Sequence, residues 1–327
     1  MSKKNVQGKL YLAAKTALVN CLGLRPRETV LILTDSLKRN VALPFRQVAE
    51  DIGSEVIMAE MVRRKYPGEE PPAQIAAILG AVDVALCATS VSMSFTDARK
   101  SASEKGTRMA LMPGISDSIL LRGMSADYRN IMRRTCKLQR LMKGAKAIRV
   151  KTKAGTDVLL PIKGRRIYAD TGLIQEKGAY GNLPAGEVCV APIEGLSEGV
   201  VVVDATIGHM GQVTRPVRLM VKAGTAVEIS GGASAKRLRQ MLKPHGRNAY
   251  NVAEIGIGTN DRARISGNIL EDEKVMGTVH IALGDNARGL GGKVFAGTHL
   301  DCLITKPSVW FDRVQIMKEG RFLISIC

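Results

Sequence analysis

The alternation of apolar and amphipathic segments along roughly the first 120 residues constrains the fold most. Four apolar runs have the length of buried strands, and helical stretches lie between them, one ending at Gly53 and one starting at Pro71. The runs are residues 29–35, 54–62, 82–90 and 107–114. Alternating strands and helices predict a parallel sheet covered on both faces, in a Rossmann-like arrangement. No G-x-G-x-x-G motif follows the first strand, so no dinucleotide is assigned.

The pattern changes near residue 146, where residues 146–163 predict two strands joined by a turn at 153–156. Strand-like runs dominate from there on, with one clear helix starting at the cap-like Ser234. The predicted fold class is therefore α/β with two domains. We expect a Rossmann-like α/β domain with a parallel sheet over residues 1–145. A mainly β (α+β) domain carrying a metal site is expected over residues 146–327.

Composition and length predict a globular protein without a membrane segment. Of 327 residues, 45% are apolar and 24% are charged, which is ordinary for a folded domain. No apolar run reaches the roughly 18 residues that span a bilayer, and the basic first 20 residues predict an amphipathic helix, not a signal peptide. The six cysteines include no C-x-x-C pair, which favours reduced thiols in a cytoplasmic protein.

The net charge of +18 raises the question of an acidic partner. Its densest part, residues 128–150, has apolar residues at helical spacing, Leu141 among them, with most basic residues off that stripe. This pattern favours a solvated helix face over a nucleic-acid surface. No nucleic-acid motif and no aromatic stacking platform accompany it, so nucleic acid is not expected as a partner.

His299 and Asp301 lie two residues apart in an apolar run, in a chain with only 4 histidines. In a strand, residues two apart point to the same face, while Leu300 would point the other way. An imidazole beside a carboxylate can bind a metal ion, and it can equally form a buried hydrogen-bonded pair. This motif alone leaves both interpretations open.

Two further carboxylates stand where burial makes them costly. Glu187 begins an apolar strand after a Pro-Ala-Gly turn, and Glu254 lies within the apolar run 252–257. A buried carboxylate costs several kcal/mol unless it is paired or bound to a cation. With His280, His299 and Asp301 they form a set of imidazole and carboxylate groups suited to zinc, cobalt, manganese or iron.

Three consecutive acids, Glu271, Asp272 and Glu273, lead towards His280. One or two of them could be metal ligands or a general base. A solvated acidic turn is an equally good interpretation of each one taken singly.

Four segments together resemble the motif series of the thermophilic metallo-aminopeptidases typified by aminopeptidase T. They are "NLPAGEV", "AEIGIGTN", "ILEDEKVMGTVHIALGDN" and "AGTHLD". The resemblance covers the second half by motif and the first half by its general α/β pattern. It implies a two-domain, dimeric, two-metal exopeptidase. The metal ligands that the resemblance implies are Glu187, Glu254, His280, His299 and Asp301. Glu273 matches the glutamate that precedes the HIALG motif.

The chain departs from the peptidase pattern after HIALG, where a tyrosine is expected and "GDNARGLGGKVF" has Ala287 and no tyrosine. The same architecture is shared by an iron-dependent dioxygenase that opens 2,5-dihydroxypyridine. The chain is similar to that enzyme in offering two histidines and one aspartate, here His280, His299 and Asp301, for one Fe(II).

We expect an aminopeptidase that hydrolyses N-terminal residues of small peptides with two divalent ions, zinc, cobalt or manganese, sharing an activated water. Glu254 or Glu273 would act as general base. The reason is the retention of Glu187 and Glu254, two carboxylates beyond the needs of one iron. The alternatives are a mononuclear Fe(II) ring-cleaving dioxygenase and a metal-binding relative without catalysis.

The resemblance and the exposed sheet edges of a strand-rich half also imply a homodimer. Two histidines remain outside the set. His209 is a candidate to line a cavity, and His245, which follows Pro244, is expected to be structural.

Overall fold

The computed structural model describes residues 3–326. They divide into two compact units, the first comprising Met1–Tyr128 and Gly172–Ala185, the second Arg129–Thr171 and Gly186–Cys327. Five cysteines in the described range are free thiols, and Cys327 lies outside it. None of the helices within residues 3–326 has the length and apolar character needed to cross a bilayer.

The first unit is a parallel sheet flanked by helices, which confirms the expected α/β architecture. The sheet has the strand order β2-β1-β3-β4-β8, and every pair is parallel. Its strands are β1 (Thr29–Asp35), β2 (Glu55–Met61), β3 (Val84–Ala88), β4 (Arg108–Leu111) and β8 (Tyr180–Asn182). Its helices are α1 (Lys3–Lys15), which continues into a π-helical turn at Thr16–Cys21, α2 (Arg39–Ile52), α3 (Ala73–Leu79), α4 (Asp97–Glu104) and α5 (Asp117–Gly123).

Local sequence explains these elements. β1 has four consecutive apolar residues at 30–33 and is almost wholly buried, as a central parallel strand must be. Helix α2 ends at Gly53, whose φ of 83° is left-handed and suits glycine, as the sequence predicted. β8 was not predicted, because it has only three residues and belongs to a segment far along the chain from the other four strands.

The second unit consists of two antiparallel sheets and three helices. The helices are α6 (Tyr128–Lys143), whose first residue belongs to the first unit, α7 (Gly232–Leu242) and α8 (Ile269–Asp272). Short 3-10 turns occur at Lys243–His245 and Arg247–Tyr250. The strands are β5 (Ala147–Lys151), β6 (Asp157–Pro161), β7 (Ile167–Asp170), β9 (Glu187–Val190), β10 (Glu198–Val203), β11 (Thr206–Ile207), β12 (Gly211–Gln212), β13 (Val217–Lys222), β14 (Thr225–Ser230), β15 (Val252–Gly258), β16 (Val279–Gly284), β17 (His299–Ile304), β18 (Ser308–Phe311), β19 (Val314–Lys318) and β20 (Arg321–Phe322).

One sheet has the order β14-β13-β10-β6-β5-β18-β19-β20 and the other β12-β11-β17-β16-β15-β9-β7. One hydrophobic core contains side chains of both sheets, such as Val201 and Ile281, so the sheets pack face to face. The predicted hairpin at 146–163 is present as the antiparallel pair β5–β6. The expected helix at Ser234 is α7, which begins two residues earlier at Gly232.

The division between the units differs from the expected boundary at residues 145 and 146. Helix α6 belongs to the second unit from Arg129 onwards, because Leu138 and Met142 pack in that unit's core. Residues 172–185 belong to the first unit, since β8 pairs with β4. The predicted buried stripe of α6 is wrong at Leu141, which is 44% exposed.

Candidate metal centre

The five predicted metal ligands lie on four adjacent strands of the seven-stranded sheet. Glu187 begins β9, Glu254 is on β15, His280 is on β16, and His299 and Asp301 are on β17. Alternation along each strand separates two faces. The strand neighbours of these residues point into the core, and they are Val188, Ile255, Ile281, Leu300 and Cys302. The same-face prediction for His299 and Asp301 is confirmed, since both lie in one strand with buried Leu300 between them.

Three of the five residues converge closely. One ligand atom each of Glu254, His280 and Asp301 lies within 4.8 Å of the others. The strand register explains this, because Glu254 pairs with Ala282 and Ala282 pairs with Asp301, which sets the two carboxylates in one row. His280 occupies the neighbouring row of the same face.

His299 joins the cluster through its Nε2 atom. This nitrogen lies 3.0 Å from Glu254 Oε2 and 3.3 Å from Asp301 Oδ1. The other ring nitrogen, Nδ1, lies 2.7 Å from the backbone oxygen of Asp285, a distance at which it donates a hydrogen bond. A histidine held in this way has Nε2 free for a metal ion in its neutral form.

Asp285 also fixes the loop that follows β16. Its carboxylate accepts hydrogen bonds from the backbone nitrogens of Arg288, at 2.8 Å, and Ala296, at 2.9 Å. These hydrogen bonds fix the loop from Asp285 to Ala296 and, with it, the backbone carbonyl of Asp285 that orients His299. Asp285 lies in the quoted HIALGDN segment, but no strand pattern indicated its contact with His299.

Gly256 makes room for His280. The two residues are cross-strand partners, and a Cβ atom at position 256 would fall 2.2 Å from both Cε1 and Nε2 of His280. Only glycine therefore lets the imidazole lie flat against β15 at this point. The alternation of glycines in "AEIGIGTN" is the sequence signal that could have indicated it.

The charges of the cluster balance one another. Burial opposes ionisation of Glu254, but contacts with His280 and His299 hold the pKa of that carboxyl well below its usual range. Burial likewise opposes protonation of His280, yet Glu254, Glu187 and Asp301 raise its pKa to about 10. For His299, Asp301 and Glu254 outweigh burial and raise the pKa well above its usual value. Without a metal ion, the cluster consists of imidazolium–carboxylate pairs.

Glu187 and Glu273 have a different partner, the buried Lys274. Its Nζ lies 2.6 Å from Glu187 Oε1 and 2.7 Å from Glu273 Oε1, and its side chain is 1% exposed. The second oxygen of Glu187 lies 3.4 Å from His280 Nε2, so Glu187 separates Lys274 from the histidine cluster. The expectation of two metal ions assumed that the carboxylates beyond the needs of one iron had no cationic partner other than a second ion. For Glu187, Lys274 is such a partner.

Glu273 differs from Glu254 in charge state. Burial raises the pKa of Glu273 to about 8, against the charge of Lys274 and with the help of Asp301 and Glu187. At neutral pH most of this carboxyl is protonated, which makes it a weak general base.

Glu271 and Asp272 are fully buried, so a solvated acidic turn is wrong for both. Asp272 accepts hydrogen bonds from Thr206 Oγ1, at 2.6 Å, and from two backbone nitrogens of the preceding loop. Glu271 accepts one from the backbone nitrogen of Arg264, at 3.1 Å. These contacts brace the loop, and neither carboxylate belongs to the cluster around His280.

The remaining histidines lie at the surface. His209 is exposed in the turn between β11 and β12, where the backbone nitrogen of Gly208 donates to Asp301 O at 2.9 Å. His245 is exposed in the turn Lys243–His245 and lines a surface depression with Arg247 and Arg288. Cys189 lies on the site face opposite Gly256, where burial and then Glu254 and Glu187 raise the pKa of its thiol.

The donor set fits a transition metal. Two imidazoles and carboxylate oxygens are ligands of zinc, manganese and iron. Within residues 3–326, Glu187 Oε2 and His280 Nδ1 are buried and have no hydrogen-bond partner, a condition that a bound ion or its water can relieve. The side chains of His299 and Asp301 are 14% and 17% exposed, whereas that of His280 is 1% exposed. The cluster is therefore open to solvent on the β17 side.

The protein thus has two units. One is an α/β unit with a parallel sheet, and the other is a β sandwich that carries a candidate metal centre of two histidines and two carboxylates. Residues 9–324 match the family model NicX, described as 2,5-dihydroxypyridine 5,6-dioxygenase. Since this match covers nearly the whole chain, the protein belongs to that family.

One sequence relative and two solved structures are similar to this chain. A 2,5-dihydroxypyridine 5,6-dioxygenase of Pseudomonas putida is 25% identical over 206 residues, which span 58% of this chain and 57% of that protein. The structure of 2,5-dihydroxypyridine dioxygenase from P. putida KT2440 is similar with a TM-score of 0.83 at 19% identity, covering 100% of this chain and 99% of the other. AmpT from Thermus thermophilus is similar with a TM-score of 0.72 at 16% identity, covering 97% and 99%.

The suspected architecture, shared by the peptidase and the dioxygenase, is thus confirmed. The choice between the two activities was wrong. Family membership favours an oxidoreductase of the dioxygenase type, so the expectations of a hydrolase, an aminopeptidase and a peptide substrate are withdrawn. The physical reason is that both activities use the same types of metal ligand, histidine and carboxylate. The sequence motifs identify these ligands and do not distinguish the two reactions.

Proposed function

We propose that this protein is a mononuclear Fe(II) dioxygenase that opens the ring of 2,5-dihydroxypyridine or a closely related hydroxylated N-heteroaromatic compound. The observation that carries the proposal is the convergence of His280, His299 and Asp301 on one face of two adjacent strands. Two histidines and one carboxylate are the protein ligands of non-haem Fe(II) oxygenases. Family membership supports the same choice.

In this proposal His280, His299 and Asp301 would hold the iron, and Fe(II) would supply the chemistry that brings an aromatic substrate and O₂ to reaction. The chain contributes orientation and proton transfer. The carbonyl of Asp285 fixes the His299 ring, and Gly256 gives the His280 ring its place. Substrate approaches from the β17 side, where His299 and Asp301 retain exposure.

Glu254 is the proton acceptor in this account. Its two oxygens lie 3.8 Å from His280 Nε2 and 3.0 Å from His299 Nε2, between both imidazoles. A hydroxyl group of the substrate must lose its proton to chelate a metal ion well, and an ionised, buried carboxylate beside the ligands can accept that proton. Glu273, mostly protonated at neutral pH and bound to Lys274, is less suited to this role.

Oxygen uptake tests the proposal. Chain purified without metal is loaded anaerobically with Fe(II) and mixed with 2,5-dihydroxypyridine in an oxygen electrode. We expect iron-dependent uptake of one O₂ per substrate, lost in Asp301→Ala. The matched control Asp157→Ala removes an aspartate of the same unit that is 46% exposed and should leave uptake unchanged. Iron-loaded protein that takes up no oxygen would refute the substrate, and would favour a relative that binds metal without this activity.

We also propose a homodimer. Exposed apolar side chains lie near the ends of one sheet, Val227 on β14 with 54% exposure and Leu323 beside β20 with 54%. A symmetric partner is one way to cover such edges. Light scattering should give about twice the chain mass of 35.2 kDa at micromolar concentration, and a particle of the chain mass would contradict this assembly.

A further inference from the structure

Lys274 is a deeply buried cation beside the candidate metal centre. Its side chain is 1% exposed, and it lies in the turn between α8 and β16. Three carboxylates surround its Nζ: Glu187 at 2.6 Å, Glu273 at 2.7 Å and Asp170 at 3.6 Å. They come from β9, from the residue after α8 and from β7, so the fold brings together groups that are distant in sequence.

The fold makes specific room for this cation. A Cβ atom at Gly258 would fall 2.1 Å from the backbone oxygen of Val275 and 2.8 Å from the carbonyl carbon of Lys274. Glycine at position 258 therefore allows the turn that carries Lys274 to approach β15. Burying an ammonium group costs several kcal/mol of free energy unless carboxylates compensate its charge. The three carboxylate contacts provide that compensation, and Gly258 lets the turn place Lys274 within reach of them.

Lys274 contacts carboxylate oxygens of the kind that a second metal ion would need. Carboxylate oxygens are ligands that divalent ions share, and in two-metal sites the ions lie about 3.5–4 Å apart. Here Glu187 is the shared carboxylate: one oxygen contacts Lys274 and the other lies 3.4 Å from His280. An ammonium group donates up to three hydrogen bonds and so occupies the oxygens that a second ion would require.

We propose that Lys274 is a built-in cation that takes the place of a second metal ion and limits the site to one divalent ion per chain. The count of one rests on the proposed single-metal function. Lys274 sets this number of metal ions, and Glu187 and Glu273 are its ion-pair partners.

Metal stoichiometry tests the role of Lys274 independently of activity. Metal-free wild type, Lys274→Ala and Lys274→Arg are titrated with Co²⁺ in a calorimeter, and the bound cobalt is then determined by elemental analysis. We expect one ion per chain for wild type and for Lys274→Arg, which keeps the charge. Lys274→Ala should bind two ions, and Co²⁺ should raise its melting temperature more than that of wild type.

Two results overturn the inference while leaving the metal centre intact. One is a wild-type chain that binds two Co²⁺ ions with Lys274 in place. The other is a folded Lys274→Ala chain that still binds only one. A wild-type chain that binds none refutes the proposed function itself, and the count with it.

If Lys274→Ala does not fold without metal, refolding in the presence of Co²⁺ supports the inference. If it does not fold with Co²⁺ either, the double variant Lys274→Ala/Glu273→Gln, in which the side chain at position 273 cannot ionise, is tested in the same way. Failure of both variants to fold under any of these conditions means that no divalent ion can substitute for the ammonium group, and it overturns the inference.

Discussion

Replacing Gly256 by alanine tests whether the sheet positions His280 for metal binding. The added Cβ would lie 2.2 Å from two atoms of the His280 ring, and ordinary van der Waals contact begins at 3.4 Å. The ring must therefore move by about 1.2 Å, because the backbone of β15 is held by strands on both sides. Bond lengths at metal sites are fixed to within roughly 0.2 Å, so His280 would lose its place as a ligand.

Mutating a residue that only supports a metal ligand typically lowers metal affinity roughly 10- to 100-fold. Because Gly256→Ala displaces a ligand itself, we expect a loss of at least that size. Overpacking of a buried site also costs about 1–3 kcal/mol of unfolding free energy, which lowers the melting temperature. Both effects have one cause, the contact between the new methyl group and the imidazole.

Calorimetric titration with Co²⁺ measures the affinity, and thermal denaturation measures the stability. Gly144→Ala is the matched control, because the nearest atom to its added Cβ is 3.9 Å away and an alanine fits there. If Gly256→Ala binds Co²⁺ with wild-type affinity, His280 is not positioned as a ligand by this strand pair, and the geometric argument for the metal centre fails.

Three further predictions follow from the same cluster. Because the pKa of His280 is raised from 6.5 to about 10, its ion pairs stabilise the metal-free chain below pH 6.5, and this stability is lost as the pH rises towards 10. Melting temperatures in a chelator should fall over that range, and a flat profile would contradict the charge assignment. Asp285→Ala should loosen the loop that orients His299 and weaken Co²⁺ binding about 10- to 100-fold, as titration can show, whereas unchanged affinity would mean that the loop holds without this carboxylate. Glu254→Gln should retain Fe(II) in elemental analysis but reduce oxygen uptake by roughly 10²- to 10⁴-fold, and undiminished turnover would exclude Glu254 as proton acceptor.

Much of the fold could be predicted from periodicity. Four of the five strands of the first unit and the hairpin β5–β6 are regular over several residues, and their patterns reflect burial on one or two faces. β8 could not be predicted, because a three-residue strand has too few positions to show a pattern. The spacing of His299 and Asp301 gave their common face, since strand alternation depends only on local geometry.

The second cation of the site could not be predicted. In "EDEK" a lysine after three acids suggests a solvated turn, and the distance in sequence between Glu187 and Lys274 hides their contact. The excess of buried carboxylates was therefore attributed to a second metal. Gly256 and Asp285 were missed for a similar reason, because their effect on His280 and His299 depends on tertiary register and loop closure.

The error in activity has a further cause. Motifs identify ligand types on a shared fold, and one fold can host different chemistries with the same ligands. The match of residues 9–324 to the dioxygenase family favours that chemistry over the peptidase, a preference that the ligand residues alone do not give.

Anomalous diffraction at the iron edge, from crystals of anaerobically Fe(II)-loaded protein, tests the central claim most directly. We predict one peak per chain, within bonding distance of His280, His299 and Asp301, and none among the carboxylates around Lys274. A chain without a peak, or with its peak between Glu187 and Glu273, would contradict the proposed centre.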